Sequence, residues 1–219
     1  MDVYLETGAR RVFASAVDWP GWARAGRDEE SALHALIDYA PRYRRIVRSA
    51  PALPSDISEL HIVERLKGDA TTDFGAPGAT PAHDGQRPDP DELKVLAGVM
   101  RACWKAFDRA SRSATGKQLA PAGPRGGGRD LEAMIEHVAG AELGYLSSLG
   151  GRAERSASAE DVRAAFVEAL GARARGELPD RGPRGGRRWP ARYAARRAAW
   201  HVLDHAWELE DRLRAVESA

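Results

Sequence analysis

Two histidines near the carboxyl end of the chain have the spacing of a metal-binding pair. His201 and His205 lie four residues apart, so on a helix both rings leave the same face, one turn apart. Glu208 shares that face three residues later. Imidazoles at this spacing are a common way for one helix to give a metal ion two nitrogen ligands. The spacing is equally compatible with hydrogen-bonded or solvent-facing histidines, so a third ligand is needed to favour a metal.

A single long helix is predicted to carry this pair, from Arg188 to Leu213. Pro190 lies in the first turn, where a helix tolerates proline, and no other proline or glycine interrupts the segment. Ala194 and Ala198 lie on the histidine face and leave space beside it. A different face carries large apolar side chains, namely Tyr193, Trp200, Leu203 and Trp207. We therefore expect one face of this helix to pack and another to do chemistry.

The composition of the chain is that of a globular protein with a substantial core. It has 219 residues, of which 43% are hydrophobic and 30% charged. The net charge of +1 gives no reason to expect nucleic acid or an anionic membrane as a partner. Cys103 is the single cysteine, so no internal disulfide forms, and no apolar run reaches the length of a membrane span. We therefore expect a cytoplasmic protein without a signal peptide.

Residues 1–68 predict a small α/β unit with an antiparallel sheet. A β-hairpin is expected over Asp2–Val17, followed by a turn-rich link and a helix capped by Asp28. Pro41 is expected to kink or end that helix, with continuation through Tyr43 and Ile46 as the alternative. A third strand is expected over Leu60–Leu66. The apolar stripe of the helix consists of Ala32, Leu33, Leu36, Ile37 and Ala40.

Residues 69–90 are rich in glycine, proline, aspartate and threonine, which is the composition of a linker or a surface loop. Loops of this length in compact proteins are either functional or disordered. Asp73-Phe74-Gly75 is apolar enough to dock, so the segment is also a candidate to cover a site. His83 is interpreted as a solvated loop histidine rather than a ligand.

From residue 91 the hydrophobic period becomes helical, and four helices are expected over residues 91–217. The second is capped by Asp130, and the third runs from Ser158 to Leu170. The connection between the first two contains Gly126-Gly127-Gly128. No strand precedes these glycines and no phosphate-binding signature follows, so they indicate a flexible connection.

The second of these helices brings two further residues of chemical interest. His137 flanks its apolar stripe, and Glu142 lies within the stripe. An unpaired carboxylate is costly to bury. Glu142 is therefore expected to face a metal, a metal-bound histidine or an arginine.

The segment 91–217 resembles the DinB/YfiT-like metalloenzymes, which are up-down four-helix bundles. The resemblance lies in His137-Val138-Ala139-Gly140-Ala141-Glu142 on the second helix and His201-Val202-Leu203-Asp204-His205 on the last. It implies that His137, His201 and His205 bind one divalent ion, with zinc, nickel or iron as candidates. It also implies a small-molecule substrate, and some relatives use the metal to activate a low-molecular-weight thiol.

The front segment resembles the HicB antitoxin fold. The resemblance lies in a hairpin ending in DWPGW, followed by GRDEESALHALIDYA. HicB antitoxins usually place a DNA-binding domain behind this unit, whereas helices follow it here. Together the two resemblances imply an α+β chain: a HicB-like unit over 1–68, a linker or covering loop over 69–90, and a DinB-like bundle over 91–217.

Two hypotheses for function follow. The first is a metal-dependent enzyme, either a thiol-dependent S-transferase or isomerase or a hydrolase, because three imidazoles leave one coordination position open. Glu142 and Glu208 are then the candidate catalytic carboxylates, which orient a ligand or carry a proton. The alternative is a non-enzymatic binding or antitoxin-like module whose metal only staples the helices. A homodimer is compatible with both hypotheses.

Overall fold

A computed structural model describes residues 1–121 and 128–217 and shows an α+β protein. A four-stranded sheet comes first, and long helices follow it. The strands are β1 (Asp2–Thr7), β2 (Val12–Ala16), β3 (Ala23–Gly26) and β4 (His61–Lys67). The helices are α1 (Glu29–Ile46), α2 (Ala70–Phe74), α3 (Pro90–Ala114), α4 (Leu131–Leu149), α5 (Ala159–Arg175) and α6 (Ala191–Glu217). Gly126 and Gly127 of the predicted flexible connection lie outside the described residues.

The sheet is mixed, which corrects the prediction of an antiparallel unit. Its strand order is β3-β2-β1-β4. The β1–β2 and β2–β3 pairs are antiparallel, as a hairpin requires, but β4 pairs with β1 in parallel. The chain leaves β3 through α1 and returns as β4, and such a crossover through a helix gives strands of the same direction. The sequence does not predict β3, because Ala-Arg-Ala-Gly lacks the β-branched and aromatic residues typical of strands.

The predicted start of α1 is confirmed. The Asp28 carboxylate accepts a hydrogen bond from the Ser31 backbone N–H, and the Ser31 hydroxyl accepts one from the Asp28 N–H. Pro41 lies inside the helix without ending it, and α1 continues to Ile46. The stripe packs as expected, with Ala32, Leu33, Leu36 and Ala40 buried.

Both faces of the sheet are covered. On one face Val3, Leu5 and Ala14 belong to the main hydrophobic core, to which α1 also contributes. On the other face Phe13 packs edge-to-face against Trp200 of α6, with ring centroids 6.1 Å apart. The guanidinium of Arg196, also on α6, lies 5.3 Å from the ring centroid of Tyr4. The sheet is therefore a middle layer between α1 and the first half of α6.

The four long helices after the sheet pack on one another, with α6 against α3, α4 and α5. The predicted caps are confirmed, since Asp130 and Ser158 accept hydrogen bonds from the first turns of α4 and α5. Helix α6 starts at Ala191 and ends at Glu217, a few residues later at each end than predicted. None of the described helices has the length and apolar character needed to cross a lipid bilayer.

The close approach of α6 to its neighbours depends on small residues. Ala194, Ala195, Ala198 and Ala199 are all buried. The predicted packing face is confirmed as well, because Tyr193, Trp200, Leu203 and Trp207 are at most 8% exposed. Cys103 of α3 is fully buried, as a small apolar residue would be, and burial raises the pKa of its thiol.

The 69–90 segment is docked on the sheet. The buried carboxylate of Glu6 on β1 accepts hydrogen bonds from the Thr72 hydroxyl and from the backbone N–H groups of Gly78 and Ala79. The Asp73 carboxylate accepts from the backbone N–H groups of the β1–β2 turn. Phe74, which the sequence suggests as a docking residue, is instead 88% exposed. Polar contacts, not the apolar side chain, attach this segment.

A buried ion pair attaches the same segment to α6. Arg196 donates two hydrogen bonds to the Asp84 carboxylate, at 2.9 and 2.7 Å. Its Nη1 and Nη2 atoms also donate to the carbonyl oxygens of Ala16 and Val17, where β2 ends. Asp84 is fully buried and Arg196 is 5% exposed. One guanidinium thus ties α6 to the sheet and to the 69–90 segment.

We expect Asp84→Asn to lower the free energy of unfolding by about 3 kcal/mol, because it leaves the Arg196 charge buried without its counterion. Urea denaturation measures the change. The control is Asp180→Asn, since Asp180 also pairs with a buried arginine, Arg173, but its own side chain is 95% exposed. Equal losses in the two variants would contradict a structural role for the buried pair.

Candidate metal centre

Three histidines from two helices meet at one point of the helical region. His137 of α4 and His201 of α6 face each other through their Nε2 atoms, 3.1 Å apart. The ring centroids of His137, His201 and His205 form a nearly equilateral triangle with sides of 4.6–5.0 Å. One nitrogen from each ring lies within 4.8 Å of the other two. The structure therefore brings the predicted third histidine to the pair.

His201 and His137 have lowered pKa values and are partly shielded from water. Burial, followed by the neighbouring His205 and His137, lowers the pKa of His201 to about 2. Burial and the nearby His205 also lower the pKa of His137. His201 is 7% exposed, whereas His137 is only half-buried, so solvent reaches the cluster from the α4 side. Neutral imidazoles with free lone pairs are the form that binds metal ions.

Glu208 holds the third ring in place. Its Oε2 atom lies 3.1 Å from Nδ1 of His205, which leaves Nε2 of that ring for the cluster. Its other carboxylate oxygen lies 3.4 Å from Nη1 of Arg212. Burial raises the pKa of Glu208, but the hydrogen bond from His205 and the charge of Arg212 outweigh it, and the pKa is lowered. Glu208 is thus an ionised carboxylate that orients a histidine, an arrangement common around metal ligands.

Arg212 and Tyr145 belong to the surroundings of the cluster and are not singled out by the sequence analysis. Arg212 donates to the carbonyl oxygens of Ala120 and Arg129, which lie on either side of the undescribed residues 122–127. The ring of Tyr145 packs edge-on against His201, with centroids 5.6 Å apart. The position of Arg212 four residues after Glu208 is a signal in the sequence that could have identified it.

Glu142 lies in a different environment. Its carboxylate accepts hydrogen bonds from Nε of Arg163 on α5, at 3.1 and 3.2 Å. Arg163 also donates to both carboxylate oxygens of Asp108 on α3. Glu142 comes five positions after His137, so the two side chains leave α4 roughly 140° apart around the helix axis. Of the three partners expected for Glu142, the structure shows the arginine, and it does not bring this carboxylate to the histidines.

The pH dependence of stability tests the Glu142 network. Burial raises the pKa of Glu142, and Arg163 only partly opposes the effect. The folded protein therefore holds the Glu142 proton more tightly than the unfolded chain does. The contribution of Glu142 to stability falls as pH rises from the ordinary glutamate pKa, about 4.3, to the raised pKa of the folded state. We expect Glu142→Gln to destabilise the protein more below this window than above it, as measured by urea denaturation across pH. A cost that increases with pH would contradict a raised pKa.

In comparisons with protein-family models, curated proteins and solved structures, no match to the chain was found. The chemistry of the site therefore has to be inferred from its own geometry.

Proposed function

We propose that His137, His201 and His205 hold one divalent metal ion and that the chain is a metal-dependent enzyme. The observation that carries this proposal is the convergence of three imidazoles from two helices far apart in the sequence. Without a cation, the facing Nε2 atoms of His137 and His201 can form a hydrogen bond only if one of them is protonated and donates to the other. A metal ion accepts the lone pairs of all three rings at once.

The distances fit such an ion. Two nitrogens bound to a tetrahedral zinc ion, each about 2.1 Å from it, are about 3.4 Å apart. The facing Nε2 atoms of His137 and His201 are 3.1 Å apart. All three ligand atoms lie within 4.8 Å of one another, so binding of an ion would draw the most widely spaced nitrogens together. Zinc, nickel and iron are all compatible with imidazole ligands.

The residues of the chain supply binding and orientation. Three protein ligands leave one position open for a reactant, which is typical of catalytic rather than structural sites. A bound divalent ion supplies Lewis acidity and lowers the pKa of water or of a thiol. Glu208 fixes the ring of His205, and the half-buried His137 lies on the side that solvent reaches. A small molecule, such as a low-molecular-weight thiol, is the proposed substrate, which makes a thiol-dependent transferase or isomerase, or a hydrolase, the proposed class.

The same placement supports the proposed architecture, a DinB-like four-helix bundle over residues 91–217 behind a HicB-like unit. Four long helices pack together, and the histidines lie on the second and fourth of them, α4 and α6. Metal sites in helix bundles are built in this way, from side chains on facing helices.

We expect protein purified without a histidine tag to contain about one divalent ion per chain, and His201→Ala to lose it, because only two ligands remain. Elemental analysis measures the metal content. His34→Ala is the control, since His34 lies on α1 with its side chain 55% exposed. Wild-type protein that takes up no metal would contradict the proposal.

Chelation distinguishes an enzyme site from a structural staple. An open catalytic site predicts that removal of the metal changes the melting temperature little. A metal that only staples α4 to α6 predicts loss of the fold on chelation.

Glu208→Gln is expected to weaken metal affinity by about 10- to 100-fold, because a neutral amide orients His205 less well. Competition with a chromophoric chelator measures the affinity, and the melting temperature reports on the fold. Glu210→Gln is a matched control, since Glu210 lies on the same helix but pairs with Arg42. Equal affinities in the two variants would show that Glu208 does not position the ligand.

A further inference from the structure

A groove of about 960 Å³ lies between α1 and the segment that follows it, residues 48–55, with Arg109 of α3 also in its lining. None of its lining residues belongs to the histidine cluster. Its lining combines apolar and basic side chains. The apolar part includes Ile37 and Leu53, which pack on the main core and are only partly buried. Apolar surface that rests on the core but stays open to solvent is a common feature of binding sites.

The basic part of the lining is formed by Arg44, Arg45, Arg48 and Arg109. All four are exposed, and within the described part of the chain none of them forms an ion pair. Asp38 is the one acidic residue in the lining. The groove therefore carries an excess of three positive charges.

Another arginine of α1, Arg42, differs from the groove arginines because it forms ion pairs. Arg42 is not part of the groove lining, and its guanidinium binds Glu210 and Asp211 of α6 at 2.9 Å each. The chain thus neutralises the arginine outside the groove and leaves those inside it without a counterion. Arg45 and Arg109 also line a smaller basic groove beside the first, so the positive surface continues past its edge.

We propose that this groove, here called the arginine groove, binds an amphiphilic organic anion, a small molecule with an apolar body and a carboxylate or phosphate group. Guanidinium groups bind both anions through paired, charge-assisted hydrogen bonds. The apolar floor takes a hydrocarbon body, which a simple inorganic anion lacks. The volume is that of a small-molecule site. The lining contains no aromatic side chain on which nucleic-acid bases stack.

The binding test uses three eight-carbon probes that differ in their head group: octanoate, octyl phosphate and octan-1-ol. Each is used at concentrations at which it stays monomeric in solution. Isothermal titration calorimetry measures each dissociation constant. We expect saturable binding of both anions at one site and at least about tenfold weaker binding of the alcohol, because it lacks the charge-assisted hydrogen bonds. Equal binding of the alcohol, no binding of either anion, or tighter binding of a single-stranded oligonucleotide would overturn the proposal.

Substitutions locate the site. Arg45→Gln/Arg109→Gln removes one charge contributed by α1 and one contributed by α3, and is expected to weaken octanoate binding at least about tenfold. Arg27→Gln/Arg184→Gln is the matched control, with the same change of net charge at two exposed positions outside the groove.

Leu53→Ser is expected to weaken octanoate binding but not the weaker binding of inorganic phosphate. If the groove variants bind octanoate as the wild type does, the arginine groove is not its site. None of these results depends on the metal content of the protein.

Discussion

The buried guanidinium of Arg196 is the constraint on which the assembly of sheet and helices depends. Arg196 is 5% exposed, so its N–H groups have lost their hydrogen bonds to water. They need acceptors within the protein, because a buried charge without partners is strongly destabilising. Its partners are Asp84 of the 69–90 segment and the carbonyl groups of Ala16 and Val17 after β2. Helix α6 therefore has one position on the sheet. Because α6 also carries two of the three clustered histidines, the sheet fixes one side of the candidate centre.

The other side is fixed by a second polar network. Arg163 of α5 joins Glu142 of α4 to Asp108 of α3 through hydrogen bonds of 2.9–3.2 Å, and the Arg163 and Glu142 side chains are only 15% and 5% exposed. This contact holds the Glu142 side of α4 against α5, and His137, five residues earlier, leaves the helix on a different side and meets His201 of α6. The two networks lie on different helices and share no residue. Together they orient the histidines without contributing a ligand.

Much of the fold follows from local sequence signals, and the rest depends on long-range contacts. Capping residues such as Asp28 and Asp130 and the helical period of the apolar residues predict the long helices, and the four-residue spacing predicts the shared face of His201 and His205. Strand β3 is not predicted from the sequence, because a short strand of small residues is stabilised by its neighbours and not by its own propensity. The 69–90 segment has the composition of a linker, yet it is held by the buried carboxylates of Glu6 and Asp84, whose partners lie far away in the chain.

The turn between β2 and β3 has a consequence for how the protein can evolve. Gly21 adopts a left-handed backbone, with φ of 89°, and a Cβ atom there would lie 3.0 Å from the side chains of Ala199 and Leu203 on α6. Ala199 is two residues from His201. If recombination replaced residues 1–68 with another segment of the same shape, a residue other than glycine at this turn would be strained against Ala199. The sheet and the helix that carries His201 and His205 are therefore expected to evolve together, because Gly21 and Ala199 leave no room for larger residues.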